Sequence, residues 1–287
     1  MQNEGNIKLV ECPRDAMQGI HDFIPTALKA EYLNLLLQVG FDTLDFGSFV
    51  SPKAIPQLRD TAEVLSMLDL SQRNTKLLAI VANLRGAEAA VLHPEISYLG
   101  FPFSISETFQ QRNTNSSIQT SLETVESMLA LCDKHHKTAV LYLSMGFGNP
   151  YGDEWHVDIV QHWANVLAEK GAKILSLSDT IGVSDPAQIR MLLPLLRETC
   201  PQAEIGLHLH STPEKRFEKI KAAFDSGCRR FDSAIKGYGG CPMAADDLTG
   251  NMATEDVLQY LQAQQMDTGL NMDKFKEALD FSGRVFL

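Results

Sequence analysis

Several features are missing from this chain, and each absence narrows what it does. No run of about 18 consecutive apolar residues occurs, so the sequence offers no helix suited to cross a bilayer. The opening M-Q-N-E-G-N-I-K-L-V lacks the basic stretch followed by an apolar core that marks an export signal. Cysteine is scarce: Cys12, Cys132, Cys200, Cys228 and Cys241 are odd in number, scattered, and form no C-x-x-C pair. That excludes a disulfide frame and a thiolate-rich structural zinc site, and the expectation is reduced thiols in the cytoplasm. Basic residues are outnumbered, 25 Lys and Arg against 36 Asp and Glu, for a formal net charge of −11. Nucleic-acid binding needs clustered Lys and Arg, so the expected partners are small molecules, with no nucleic acid and no membrane. No G-x-G-x-x-G nucleotide fingerprint opens a helix, which counts against an open doubly wound sheet.

What is present is the composition of a folded domain, 44% hydrophobic and 21% charged over 287 residues, enough for one catalytic domain spanning 1–287. One phrase recurs: an amphipathic helix stops at a glycine and a short apolar strand follows two or three residues later. It appears around Gly40, Gly171 and Gly227. Glycine takes the left-handed conformation after a helix at little cost, so each phrase reads as a helix-to-strand joint. Apolar runs bounded by turn residues predict eight strands, near 8–12, 43–47, 76–82, 96–103, 138–145, 174–178, 204–210 and 230–235. Helical faces fall between them: Ile118, Leu122, Val125 and Leu129; Ile159, Trp163, Val166 and Leu167; Phe217, Ile220 and Phe224. Thr212 before Pro213 reads as a helix N-cap with proline in the first turn. Alternation of strand and helix predicts an α/β protein, a (β/α)8 TIM barrel, with an open doubly wound sheet as the competing architecture. Residues 258–287 read as a helical extension that covers the barrel or joins a dimer.

In a barrel of this kind, chemistry gathers where strands end and βα loops begin. The segment I-G-L-H-L-H-S-T at 205–212 is the sharpest case. Strand residues two apart share a face, so His208 and His210 stand side by side with Cα atoms roughly 6.5–7 Å apart, within reach of one metal ion. Histidines near a strand end are also often merely solvated or bonded to backbone. Other polar residues share the rim: Arg14 and Asp15 after the first strand, Asp45 and Ser48 at the second, Ser176 and Asp179 at the sixth, Asp232 in the eighth. Acidic residues in such places are also common as caps and turn formers. Asp15 with the two histidines offers one hard oxygen and two borderline nitrogens, a set suited to six-coordinate Mg²⁺ or Mn²⁺ more than to zinc.

Five segments resemble 3-hydroxy-3-methylglutaryl-CoA lyase, of the metal-dependent lyase and Claisen-type synthase barrels. They are V-E-C-P-R-D-A-M-Q near the start, S-F-V-S-P-K-A-I-P-Q-L-R-D-T-A-E-V-L at 48–65, S-L-S-D-T-I-G-V at 176–183, H-L-H at 208–210, and G-G-C-P-M-A…T-G-N-M-A-T-E-D at 239–256. The resemblance implies a carbon–carbon lyase that splits a hydroxymethylglutaryl-CoA-type thioester to acetyl-CoA and acetoacetate. It implies an acyl-CoA substrate, a divalent cation, no organic cofactor, and a homodimer. By motif position it makes Asp15, His208, His210 and Asn251 the metal ligands, with His208 also counted among the catalytic residues. Arg14 becomes the cation facing the enolate, Cys241 a mobile-loop thiol that moves a proton, and Asp179 a carboxylate near the substrate. Gln18, Asp45, Ser48 and Ser176 then line the pocket.

The chain also departs from that pattern. Ser211 stands where the resemblance leads one to expect Asp, which weakens a partner for an imidazole. Asp45 replaces a longer Glu, and the loop after Cys241 adds Asp246 and Asp247. Two extra negative charges oppose an anionic substrate, so a different 3-hydroxyacyl-CoA is an alternative. A Claisen-type synthase acting on a 2-oxo acid and a non-catalytic acyl-CoA-binding or metal-binding barrel are the others.

Overall fold

The computed structural model describes residues 6–71, 74–240 and 249–286. Eight parallel strands pair in chain order and close, the last against the first. The first half runs β1 (Lys8–Glu11), α1 (Pro13–Gln18), α2 (Thr26–Val39), β2 (Thr43–Ser48), α3 (Thr61–Ser66), β3 (Lys76–Ile80), α4 (Leu84–Ala90), β4 (Ile96–Ser104), α5 (Glu107–Thr114) and α6 (Ile118–Lys134). The second half runs β5 (Thr138–Ser144), α7 (Val157–Glu169), β6 (Ile174–Asp179), α8 (Pro186–Thr199), β7 (Glu204–Leu209), α9 (Arg216–Asp225), β8 (Arg230–Ser233), α10 (Thr254–Ala263) and α11 (Met272–Phe286). All eight expected strands are present within a residue or two of their expected bounds, and the open sheet is excluded by the β1–β8 pairing.

Strand parity divides the core into two layers. On β3, Leu77 and Ala79 pack outward against the helices, while Leu78 and Ile80 turn inward to meet Val140, Tyr142 and Ile174. Each fully buried large apolar side chain of this kind contributes about 1.5–3 kcal/mol relative to exposure. The three glycine joints take the left-handed conformation, with φ of 88° at Gly40, 101° at Gly171 and 85° at Gly227. At Gly227 a side chain would also strike Arg197, since an added Cβ would lie 1.9 Å from its Nη1.

Three helical expectations need correction. The inner face of α7 is Val160, Ala164, Leu167 and Ala168, with Ile159, Trp163 and Val166 only partly buried. On α9 the inner face is Lys219, Ile220, Ala222 and Ala223, and Phe217 is 44% exposed. Small alanines let both helices approach the strands closely, and a buried lysine takes an inward position that apolar periodicity alone assigns elsewhere. Thr212 opens a single 3₁₀ turn, Pro213–Lys215, without a side-chain cap bond, and α9 begins only at Arg216.

The C-terminal segment folds as α10, the helix of the eighth unit, and α11, which packs along α2. Tyr32 stacks on Phe281 at 6.2 Å between ring centroids, and Phe41 meets Phe275 edge-on at 6.4 Å. No helix among the described residues is long and apolar enough to cross a membrane.

Candidate active site

The site is built from α1 upward. Pro13 at the first helical position starts α1 directly beyond β1, so Arg14 and Asp15 sit in its first turn at the barrel rim and Gln18 lies one turn above. Arg14 is thereby ringed by acceptors. Its Nη2 donates to Asp45 Oδ2 at 2.6 Å, its Nε to the same carboxylate at 3.0 Å, and its Nη1 to Gln18 Oε1 at 2.7 Å and Asp15 Oδ1 at 3.2 Å. Gln18 Nε2 closes the circuit by donating to Asp15 Oδ1 at 2.8 Å. This two-sided fork fixes the plane of the guanidinium, which a lysine ammonium could not match. Burial pushes the Asp45 carboxyl up to about 6 even with Arg14 against it. For Asp15 burial pulls the same way, but Arg14, both imidazoles and the Asn251 hydrogen bond outweigh it and hold the carboxyl below its usual range.

β7 supplies the imidazoles. His208 Nε2 and His210 Nε2 lie 3.2 Å apart, and one donor atom each from Asp15, His208 and His210 all fall within 4.8 Å of one another. Asn251 joins them from the far end of the chain: its Nδ2 donates to Asp15 Oδ2 at 2.6 Å and to the Tyr238 carbonyl at 2.8 Å, and its backbone bridges to His210. Divalent ions hold N and O ligands at about 2.0–2.2 Å, which sets adjacent donors about 3 Å apart, so this cluster fits a cation. The two imidazoles differ in surroundings. Burial disfavours charge on His208, yet its hydrogen bond to Asp232 raises its basicity overall. Burial and then the neighbouring His208 charge push His210 down to about 4, and its Nδ1 has no hydrogen-bond partner among the described residues.

The other expected site residues divide by position. Gln18 lines the central cavity with Arg14, Asp15, His208 and His210. Ser176 lies beneath it, its Oγ 3.4 Å from Asp232 Oδ2. Ser48 shapes the following loop, its Oγ donating to the Ile80 carbonyl at 3.3 Å and accepting from Val50 N at 3.1 Å. Asp179 is turned away from the cavity and saturated: it accepts from Val183 N, from Ser184 N and Oγ, and from Lys219 Nζ. The expectation of Asp179 as a substrate-facing carboxylate therefore meets a geometry in which it anchors the loop after β6. Cys241, Asp246 and Asp247 lie outside the described residues.

Sequence reasoning passed over Tyr142, Ser144, Ser178 and Thr180, which line the cavity from β5, β6 and the turn beyond, and Asn113 from α5. Ser144 and Ser178 end inward-facing runs in the same manner as Ser176, so strand parity extended by two residues finds them. The remaining wall is apolar, with Val50, Ala54, Ile55, Ile80, Pro102 and Phe109. Among the described lining residues Arg14 is the only guanidinium or ammonium group.

Residues 6–281 match the HMGL-like family. The chain is 34% identical over 266 residues to hydroxymethylglutaryl-CoA lyase YngG of Bacillus subtilis, covering 93% of this chain and 88% of that one. It is 35% identical over 274 residues to a 3-hydroxy-3-isohexenylglutaryl-CoA/hydroxy-methylglutaryl-CoA lyase of Pseudomonas aeruginosa, covering 95% and 90%. Its fold superimposes with a TM-score of 0.91 on an HMG-CoA lyase of Acinetobacter baumannii solved with coenzyme A and 3-methylmalate, at 26% identity and 98% and 91% coverage. With a closed eight-stranded barrel, a polar cluster at its C-terminal rim and a family match over nearly the whole length, this chain belongs to the HMGL-like family of carbon–carbon lyases.

Proposed function

We propose that the chain cleaves the C2–C3 bond of a 3-hydroxy-3-methylglutaryl-CoA-type thioester, giving acetyl-CoA and acetoacetate with Mg²⁺ or Mn²⁺ bound. The observation that carries this reading is the meeting of Asp15, His208 and His210 donors with the Arg14 guanidinium directly beside them. Asp15, His208, His210 and Asn251 would hold the cation, which supplies Lewis acidity toward the substrate's 3-hydroxyl and orients it. As the hydroxyl proton leaves, its electron pair forms the ketone, the C2–C3 pair moves onto the thioester as an enolate, and a proton must reach C2. Arg14 offers fixed positive charge to the enolate oxygen; such a donor is worth about 3–4 kcal/mol of transition-state stabilisation. Gln18 and Asp45 hold that guanidinium in plane, and Cys241, by motif, is the proton carrier.

Incubating purified protein and Mg²⁺ or Mn²⁺ with hydroxymethylglutaryl-CoA tests the reading. Acetyl-CoA and acetoacetate in equal amounts support it, and neither product appearing with either ion removes it.

The apolar wall favours a second reading, a larger hydrocarbon group in place of the 3-methyl. Val50, Ala54, Ile55 and Ile80 suit such a group, and the Pseudomonas aeruginosa relative is named for an isohexenyl substrate as well as the methyl one. A kcat/KM that rises with the length of the 3-substituent supports this version, and one that falls supports the methyl substrate.

A further inference from the structure

The proposed cation site contains two histidines, and among the described residues only His208 has a hydrogen-bond partner at Nδ1. His208 and Asp232 are register partners on the neighbouring parallel strands β7 and β8, so their side chains leave the sheet side by side. His208 Nδ1 lies 3.3 Å from Asp232 Oδ2. The Asp232 side chain is completely shielded from solvent, and its other oxygen has no hydrogen-bond partner among the described residues. The edge of the arrangement is closed by Tyr142, whose ring meets the His208 ring at 84° with centroids 5.7 Å apart. Among the described residues His210 Nδ1 has no equivalent partner, and the Ser211 hydroxyl beside it donates instead to the Thr212 carbonyl at 3.0 Å.

We propose that Asp232 is the positioning residue of the cation site, fixing the His208 ring so that Nε2 faces the point shared with Asp15 and His210. The proposal rests on the metal-binding reading given above. An imidazole carries one hydrogen when neutral, and a carboxylate at Nδ1 assigns it to that nitrogen, leaving the Nε2 lone pair for a ligand. It also removes the ring flip that would exchange the two nitrogens. Ser176, bonded to the same Asp232 oxygen from β6, limits where that carboxylate can swing. With no such partner at His210 Nδ1 among the described residues, it is the His208 donor whose direction depends on Asp232.

Mn²⁺ binding by metal-stripped protein, followed by calorimetry and by the loss of the free-ion EPR signal, provides the test. Asp232→Ala is expected to raise the Mn²⁺ dissociation constant by about 10–100-fold, the usual range for a partner that orients a ligand. Asp232→Asn, of the same shape but without the charge, is expected to fall between parent and Asp232→Ala. In a His208→Ala background the Asp232→Ala change is expected to add nothing, because Asp232 acts through that ring. A purely structural role would lower the melting temperature of the metal-free protein and leave Mn²⁺ affinity unchanged. Parent protein that binds Mn²⁺ together with an Asp232→Asn variant of equal affinity overturns the proposal alone. Parent protein that binds no Mn²⁺ overturns both it and the metal-binding reading.

Discussion

Lys219 Nζ donates to Asp179 Oδ2 at 2.9 Å, and neither side chain has any exposure to solvent. The same ammonium donates to the carbonyl of His210 at 2.9 Å and of Gly182 at 3.2 Å. One cation on α9 therefore ties the loop after β6 to the backbone of a candidate metal ligand. Removing it strands a buried carboxylate. Lys219→Met is expected to cost about 3–5 kcal/mol in urea unfolding, because the remaining charge has no counterion. Adding Asp179→Asn is expected to recover part of that loss; no recovery would show that the charge is not what matters.

Gly239 sits beneath the cluster with φ of +96°, and a Cβ there would lie 2.8 Å from Asn251 Nδ2 and 2.8 Å from Ala16 Cα. Gly239→Ala is expected to displace Asn251 and weaken Mn²⁺ binding about tenfold, as loss of an orienting contact does. Calorimetric titration of the variant reads this directly, and unchanged affinity would mean the Asn251 amide is dispensable.

Glu11 is wholly buried on the outer face of β1, where Thr254 Oγ1 donates to it at 2.6 Å and the Ile235 N–H at 2.8 Å. Burial pushes its carboxyl from 4.5 up to about 8 despite those donors. Between these values the folded state keeps a proton that the unfolded chain has lost, so this group's contribution to stability falls as pH rises from 4.5 through 8. Glu11→Gln removes the titration. The variant is expected to gain on the parent across that interval and to hold its full advantage above it, as seen in urea midpoints at acidic, neutral and alkaline pH. Parallel stability curves for the two proteins would contradict this.

Arg14→Lys keeps the charge but loses the fork that spans Asp45, Asp15 and Gln18. Turnover of hydroxymethylglutaryl-CoA is expected to fall by about 10²–10³ with little change in melting temperature, the size seen when a single transition-state donor is removed. A variant with parental kcat would take the guanidinium out of the chemistry.

Much of this was legible in the residues because it follows from period and punctuation. Eight apolar runs and glycine joints are local signals, and parity alone puts His208 beside His210. The partners that discipline those residues were not legible, since they depend on register between strands distant in sequence. Nothing near Asp232 announces that it stands level with His208, and Lys219 is hidden because an amphipathic pattern counts apolar side chains and assigns a lysine to solvent. Asp179 shows the converse error: a carboxylate at a strand end has the right address for chemistry, yet four donors in its own loop and on α9 claim it.

The clustered donors come from distant parts of the polypeptide, Asp15 just past β1 and Asn251 in the segment between β8 and α10, and β1 and β8 form the seam where the barrel shuts. A cation held there would work as a clasp: parting the first strand from the last would have to expel the ion, so the rate of ion release would set a ceiling on unfolding by that route.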